Sequence, residues 1–340
     1  MSVMSLALLF LLQQIQPKSQ WQVPFFPVQQ AAINDENKMF FATGSELYLY
    51  DFAGELIERR AVETVPEWAF STQLQQFCLV DRHRLICFDQ NLQMVWSRQI
   101  EPLIEQPFRF RSRIALPFKR SITLMNPADG QIDRALFLEG GIEKVHTLGS
   151  LMLVSGLDGQ NRFWDEALTP WHIAAQDRLE ASSIVFIERG PDQSIAVAYA
   201  NRSIQLIRPN WKSMWQRQFV VDVALRPVWL GSAHKPVLAV ATHARDVRFY
   251  NIKGRELWRV NLSDRPSSMV LMNPHTLAVT HQELSDVVWI LPEAQQTHRV
   301  KRDTHLTHVL QNQGHVIFIG YDGIISSYEK VLHDSPEVTP

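Results

Sequence analysis

The chain has 340 residues, 46% of them hydrophobic and 20% charged, a composition far from that of disordered chains and sufficient to bury a large core. Its 33 basic and 35 acidic residues leave a formal net charge of −2, with no basic block to track a phosphate backbone, so nucleic acid is not an expected partner. The length allows one large domain or two ordinary ones.

The chain opens on MSVMSLALLFLLQQIQ, apolar from Val3 to Leu12 apart from Ser5. That run fits the core of a secretory signal and falls well short of the ~20 residues that cross a bilayer, so no transmembrane span is expected. No Lys or Arg precedes it and no small-x-small cleavage site follows, which leaves two readings: a signal-like leader over residues 1–18 of a periplasmic or secreted protein, or an uncleaved cytoplasmic tail. No cysteine follows the run to accept a lipid anchor.

Next comes SQWQVPF, where a tryptophan inside apolar alternation reads as a strand. From there the chain repeats itself with a period near 40 residues, and such periods signal arrays or propellers. Eight copies are visible, from FFATGSELYLYDFAGELIERR and FCLVDRHRLICFDQNLQMVWSRQI through to HVIFIGYDGIISSYEK. Each has an apolar strand, a turn, a second strand, another turn and a third strand. A further short apolar segment precedes each hairpin, for example EWAF, SIVFI and SMVLM. Four strands in about 40 residues make one propeller blade. The residue after the second hairpin strand is Asp51, Asp89, Asn126, Asp165, Arg208, Asn251, Leu291 and Glu329 in successive copies, at nearly constant steps.

Seven residues beyond that anchor stands a tryptophan in three copies, Trp96, Trp215 and Trp258, and six beyond it Trp171. Ile57, Asp133 and His298 take the slot elsewhere. A large flat ring there can pack one blade against the next. The last copy lacks its third hairpin strand, and an uncovered sheet edge is a hazard. SQWQVPF matches the missing piece, with Trp21 in the tryptophan slot, so the expected fold is an all-β, eight-bladed β-propeller of four-stranded antiparallel blades closed by the N-terminal strand. Seven blades with one aberrant hairpin is the alternative. The propeller spans residues 19–330 as a single domain, followed by a tail over 331–340.

FYNIKGRELWRVNL, MNPADGQIDRALF and FDQNLQMVWSRQI together resemble the quinoprotein-like (PQQ-like) propeller repeat, over roughly Trp21 to Lys330. That resemblance implies a fold shared by large quinone-dependent dehydrogenases and by smaller, non-enzymatic BamB-like propellers, to which this chain is closer in size. The dehydrogenases carry adjacent cysteines near their cofactor. Here the two cysteines, Cys78 and Cys87, are separate.

A hairpin turning at Arg82-His83 sets Cys78 opposite Cys87, either as a cross-strand disulfide or as two small buried apolar side chains. His305, His308 and His315 lie close in sequence, but residues three apart on a strand face opposite sides. Neither the pair Glu63 and Glu67 nor the pair Glu139 and Glu143 has flanks that suggest burial. No catalytic residue, cofactor or metal ligand is therefore expected. Trp211, in RPNWKSMW with Lys212 beside it, falls outside the repeat slot. It reads either as an interface anchor or as a cap over its own blade. The expectation is a monomeric, non-catalytic protein-binding or assembly scaffold, placed in the cell envelope by analogy. The alternative is a propeller-class enzyme acting on a carbohydrate or small molecule at the central channel.

Overall fold

The computed structural model describes residues 17–329 apart from 24–26, 63–64, 166, 171–178, 180–181, 233 and 313. Eight antiparallel sheets follow one another along the chain. In each, strand A is innermost and D outermost; in blade 1 they are Gln30–Ile33, Met39–Ala42, Glu46–Tyr50 and Leu56–Ala61. Blades 2 to 7 start at Trp68, Phe108, Ile142, Ile184, Val228 and Pro266, and blade 8 at Leu306. Seven sheets have four strands; blade 4 has three among the described residues. The fold is an eight-bladed β-propeller.

The ring closes as the sequence suggests. Strand Ser19–Gln22 pairs antiparallel with Ile324–Glu329, in the register Ser19 with Ser327 and Trp21 with Ile325. The N terminus thus supplies strand D of blade 8. Lys18 N–H donates to Ser327 O, and Val23 N–H to Gly323 O, fastening both ends of the strand.

Burial explains the composition of each strand. The B and C strands lie between neighbouring blades and are covered on both faces, so they read as continuous apolar runs such as MFFA, FCLVD and VLAVAT. The D strands face solvent: Met94–Gln99 shows only Trp96 and Arg98 partly covered. Eight apolar clusters result, one in each gap between consecutive blades. Cys78 and Cys87 lie in the cluster between blades 2 and 3, opposite each other in register with Cα atoms 4.1 Å apart and sulfurs within bonding distance.

The recurring Asp or Asn caps the turn between strands C and D. Its Oδ1 accepts backbone N–H groups two or four residues on: Glu55 for Asp51, Asn91 and Gln93 for Asp89, Ala128 for Asn126, Ala167 and Thr169 for Asp165, Lys253 and Arg255 for Asn251. The Trp164-Asp165 pair owes its aspartate to this capping. Every C–D turn of blades 1 to 7 also holds one residue in the left-handed region: Gly54, Leu92, Gly130, Leu168, Trp211, Gly254 and Gln295.

The tryptophans settle onto those turns. Trp21 packs over Gly54, Trp96 over Gly130 and Trp215 over Gly254, each from strand D of one blade onto the next blade's turn. The indole N–H of Trp96 donates to Pro127 O at 2.8 Å, and that of Trp215 to Ile252 O at 3.0 Å. Trp258 stacks on Phe249 and joins the cluster shared by blades 6 and 7. Trp171 lies outside the described residues.

Where the preceding blade lacks a tryptophan, the turn itself supplies the plug. Leu92, fully buried, enters the core between blades 1 and 2, and Leu168 packs between blades 3 and 4. Trp211 sits edge-on to Phe163 of blade 4 at 5.0 Å and packs on the cluster that blades 4 and 5 share.

Candidate functional site: the central channel and its two faces

The eight A strands surround a channel. Because A runs into B and C into D at one end, the A–B and C–D turns form one face, here the lower; the B–C turns and inter-blade loops form the upper. The loop GPDQ and the described residues of GSAHK and NQG lie on the lower face, EPLIEQP and FLEGG on the upper.

Three cavities open along the channel. One of about 410 Å3 is polar, lined by Gln30, Gln106, Ser267, Thr280, Thr307 and His308. A second, about 280 Å3, has Glu105, Lys144, His146 and Arg226 in its wall. The third, about 490 Å3, lies at the lower mouth among Glu188, Arg189, Arg226, Trp229 and Gln311.

Most of the ionisable groups in these walls have partners; Arg189 forms no ion pair among the described residues. Glu105 receives Lys144 Nζ at 2.9 Å on one oxygen and the Val145 N–H at 2.9 Å on the other. Arg226 stands 3.7 Å from Glu188, whose carboxyl is pushed upward by burial and partly drawn back by that guanidinium. Burial lowers the pKa of His146, whose Nε2 lies 2.9 Å from the Ile184 carbonyl. Burial also holds down the imidazole of His308, whose Nδ1 is 3.1 Å from Thr307 Oγ1. Each cavity carries at most two carboxylate or imidazole groups. Acid–base chemistry on a substrate needs such groups converging around one reacting atom.

The three sequence-adjacent histidines go to three places. His305 is exposed beside Tyr321, His308 lines the polar cavity, and His315 packs against Phe52 of blade 1 at 4.0 Å. Among the described residues no cluster of three metal-ligating side chains occurs. Glu63 lies outside the described residues, Glu67 and Glu139 are exposed, and Glu143 accepts from Ser183 Oγ. The channel pairs Glu105–Lys144 and Glu188–Arg226 escaped sequence reasoning. Their signal is charged residues one blade apart on or just before consecutive A strands.

Large apolar side chains stand exposed on the upper face: Phe137 is 77% accessible, Leu157 59% and Val220 86%. Phe137 and Leu157 share one ledge. Leu138 N–H donates to Arg120 O, Ile142 N–H to Lys119 O and Leu157 N–H to Gly141 O, tying a B–C turn, an inter-blade loop and the next B–C turn together. No described helix is long and apolar enough to cross a membrane.

Ring, channel and turn-capped blades define a β-propeller. No family model and no curated protein matches the sequence. Solved structures do match in fold. BamB from Moraxella catarrhalis aligns with a TM-score of 0.69 at 14% identity, covering 92% of this chain and 99% of its own. Sqt1 from Saccharomyces cerevisiae gives 0.70 at 11%, covering 93% and 99%. The C-terminal WD40 domain of Sif2 gives 0.69 at 10%, covering 92% and 99%. At these identities the likeness is one of fold.

Proposed function

We propose that this chain is a non-catalytic protein-binding scaffold. The observation that carries the reading is where uncompensated side chains lie: the channel charges Glu105, Lys144, Glu188 and Arg226 are paired within the protein, whereas Phe137, Leu157 and Val220 stand exposed on the upper rim. Exposed apolar side chains on a fixed scaffold are what partner proteins bury. The similarity in fold to BamB and to the WD40 domain of Sif2 supports the same reading by analogy. The blades are of the quinoprotein-like kind in this proposal, supported by the Trp-over-Gly packing at Gly54, Gly130 and Gly254. The protein acts as a monomer in the cell envelope, a placement supported by the leader-like run at Val3–Leu12 and by the facing cysteines.

The test is affinity capture from the native envelope fraction with wild-type protein and with a Phe137→Ser, Leu157→Ser variant, read by mass spectrometry. A stoichiometric protein partner is expected with wild type. No partner, together with turnover of a sugar polymer or small molecule, overturns the scaffold reading.

A further inference from the structure

The lower face is divided by charge. Its turns on blades 1 to 3 carry Asp35, Glu36, Asp51, Glu55, Asp89 and Asp129 against two cations, Lys38 and Arg111; Asp35 and Glu36 are paired with Arg109 and Lys38, which leaves an acidic excess. On blades 5 and 6 the same turns, with the strand end at Arg189, carry Arg189, Arg208, Lys212, Lys235, Lys253 and Arg255, all exposed. None of these six forms an ion pair among the described residues. Asp192 is the one carboxylate in these turns, and its Oδ1 already accepts from Ser194 N–H and Oγ; on the adjoining strand ends Glu188 and Glu256 are paired with Arg226 and Arg259. The overall net charge of −2 conceals this partition.

The basic sector is rigid and bounded. Trp211, wedged on Phe163, anchors the turn that presents Arg208 and Lys212. Asn251 Oδ1 caps the turn that presents Lys253 and Arg255. At the outer rim Leu257, 45% exposed, stands two residues beyond Arg255. At the inner end lies the cavity of about 490 Å3, where Arg189 and Arg226 are joined by Trp229. The Trp229 ring is 8% exposed, and its indole N–H is a buried donor without an acceptor. Carboxylates flank the sector on both sides, Asp165 on blade 4 and Glu293 on blade 7. A long phosphate backbone leaving these two blades would meet them, whereas a short acidic peptide would not.

We propose that the lower face of blades 5 and 6 docks an acidic segment of a partner protein, its carboxylates on the six cations and an aliphatic side chain against Leu257. This rests on the scaffold reading and specifies the surface and the partner's chemistry. The acidic turns of blades 1 to 3 repel the same segment, so charge sets where on the ring it lands as well as how fast it arrives.

The probe is a fluorescein-labelled peptide, Glu-Glu-Leu-Glu-Glu-Leu-Glu, titrated with the full chain and followed by anisotropy. Saturable binding is expected, weakened about tenfold or more by R208E/K212E/K253E/R255E and weakened by added salt. K119E/R120E, on the upper face, should bind as wild type does, and the Gln-for-Glu peptide should not bind. Melting curves of both variants report that they are folded. Equal binding by the charge-reversed protein, tighter competition by a DNA oligonucleotide, or self-association of the chain through this face in sedimentation overturns the proposal. Capture from the envelope fraction separates the two levels. A partner held equally by wild-type and charge-reversed protein overturns the assignment to this face and leaves the scaffold reading standing, whereas no partner with either overturns the scaffold reading itself.

Discussion

The indole of Trp21 lies flat against the bare Cα of Gly54: a Cβ built there would fall 2.4 Å from Trp21 Cγ. On its other contacts the ring stacks on Tyr50 at 4.9 Å and meets Phe41 edge-on at 6.2 Å. Gly54 also has φ +91°, where a side chain is strained whatever the space. Sterics and backbone conformation thus ask for glycine independently. Gly54→Ala should cost about 1–3 kcal/mol. Trp21→Ala, which empties the same contact, should cost about 3 kcal/mol. In a double-mutant cycle by denaturant unfolding the two losses should be far from additive, because both act on one packing contact.

The junction between blades 1 and 2 solves the same problem in reverse, with Leu92 inserted from the turn. Leu92 is a non-glycine residue at φ +54°, so the structure holds it there against its backbone preference. Leu92→Ala keeps the strained backbone and opens a cavity, and should lower stability by about 3 kcal/mol. Leu92→Gly loses the same contact but relieves the backbone. If the fully buried side chain dominates, both variants melt well below wild type; a Gly variant as stable as wild type would show that strain had consumed the gain from burial.

The blade count, the anchor aspartates and the closing strand were legible in the sequence because each is a local pattern repeated about every 40 residues. The plugs were less so. Leu92 and Leu168 look like ordinary turn residues until their left-handed backbone and the missing tryptophans at Ile57 and Asp133 are seen together. The channel pairs were hidden for a different reason: Glu105 with Lys144, and Glu188 with Arg226, meet only once consecutive blades are laid side by side around the axis. The charge division of the lower face needed the turns sorted by face, since total charge averages the acidic and basic sectors to near zero.

Burial of three imidazoles makes stability depend on pH in the acid range. Burial lowers the pKa of His146, His308 and His315 below the ordinary 6.5. Below that value the unfolded chain takes up protons that the folded protein resists, so stability falls as pH drops from about 6.5 toward the folded values. Glu188, raised by burial, acts oppositely: it favours the folded state at low pH, and that contribution is lost as pH rises through its folded pKa. Glu46, Asp133, Asp158, Asp264 and Glu329, whose carboxyls hydrogen-bonding or cationic partners hold low, act in the same direction as the imidazoles at lower pH, and only Glu188 opposes them, so a net loss on acidification is expected. Thermal melts at stepped pH should show it, and His146→Gln should flatten the slope if that ring carries its share.

The facing pair Cys78 and Cys87 should be oxidised in protein recovered from its native compartment. Alkylation without reductant, followed by intact mass, is then expected to find no free thiol. Opening the short loop between them should cost about 2–3 kcal/mol on chain-entropy grounds. The pair is fully buried between blades 2 and 3, so the thiols also pack as small apolar groups after reduction. The reduced protein should therefore remain folded with a lower Tm. Two alkylated cysteines in the native, unreduced protein would remove the support that this pair gives to an oxidising location.

Ring closure can be tested by where the chain is cut. Protein beginning at Pro17 keeps the whole outer strand Ser19–Gln22, its pairing to Ile324–Glu329 and the Trp21 contact with Gly54. Protein beginning at Pro27 loses all three and leaves the C strand of blade 8 as an open edge. The first should melt with full-length protein. The second should lose several kcal/mol, since it forfeits the large-to-small cost at Trp21 together with a strand's worth of hydrogen bonds. It should also aggregate through the exposed edge. Supplying a peptide of sequence KSQWQV in trans should restore part of the lost Tm if strand addition is the stabilising event. Equal melting of the two truncations would show that the ring is held shut by the other seven junctions, with the N-terminal strand as a dispensable cover.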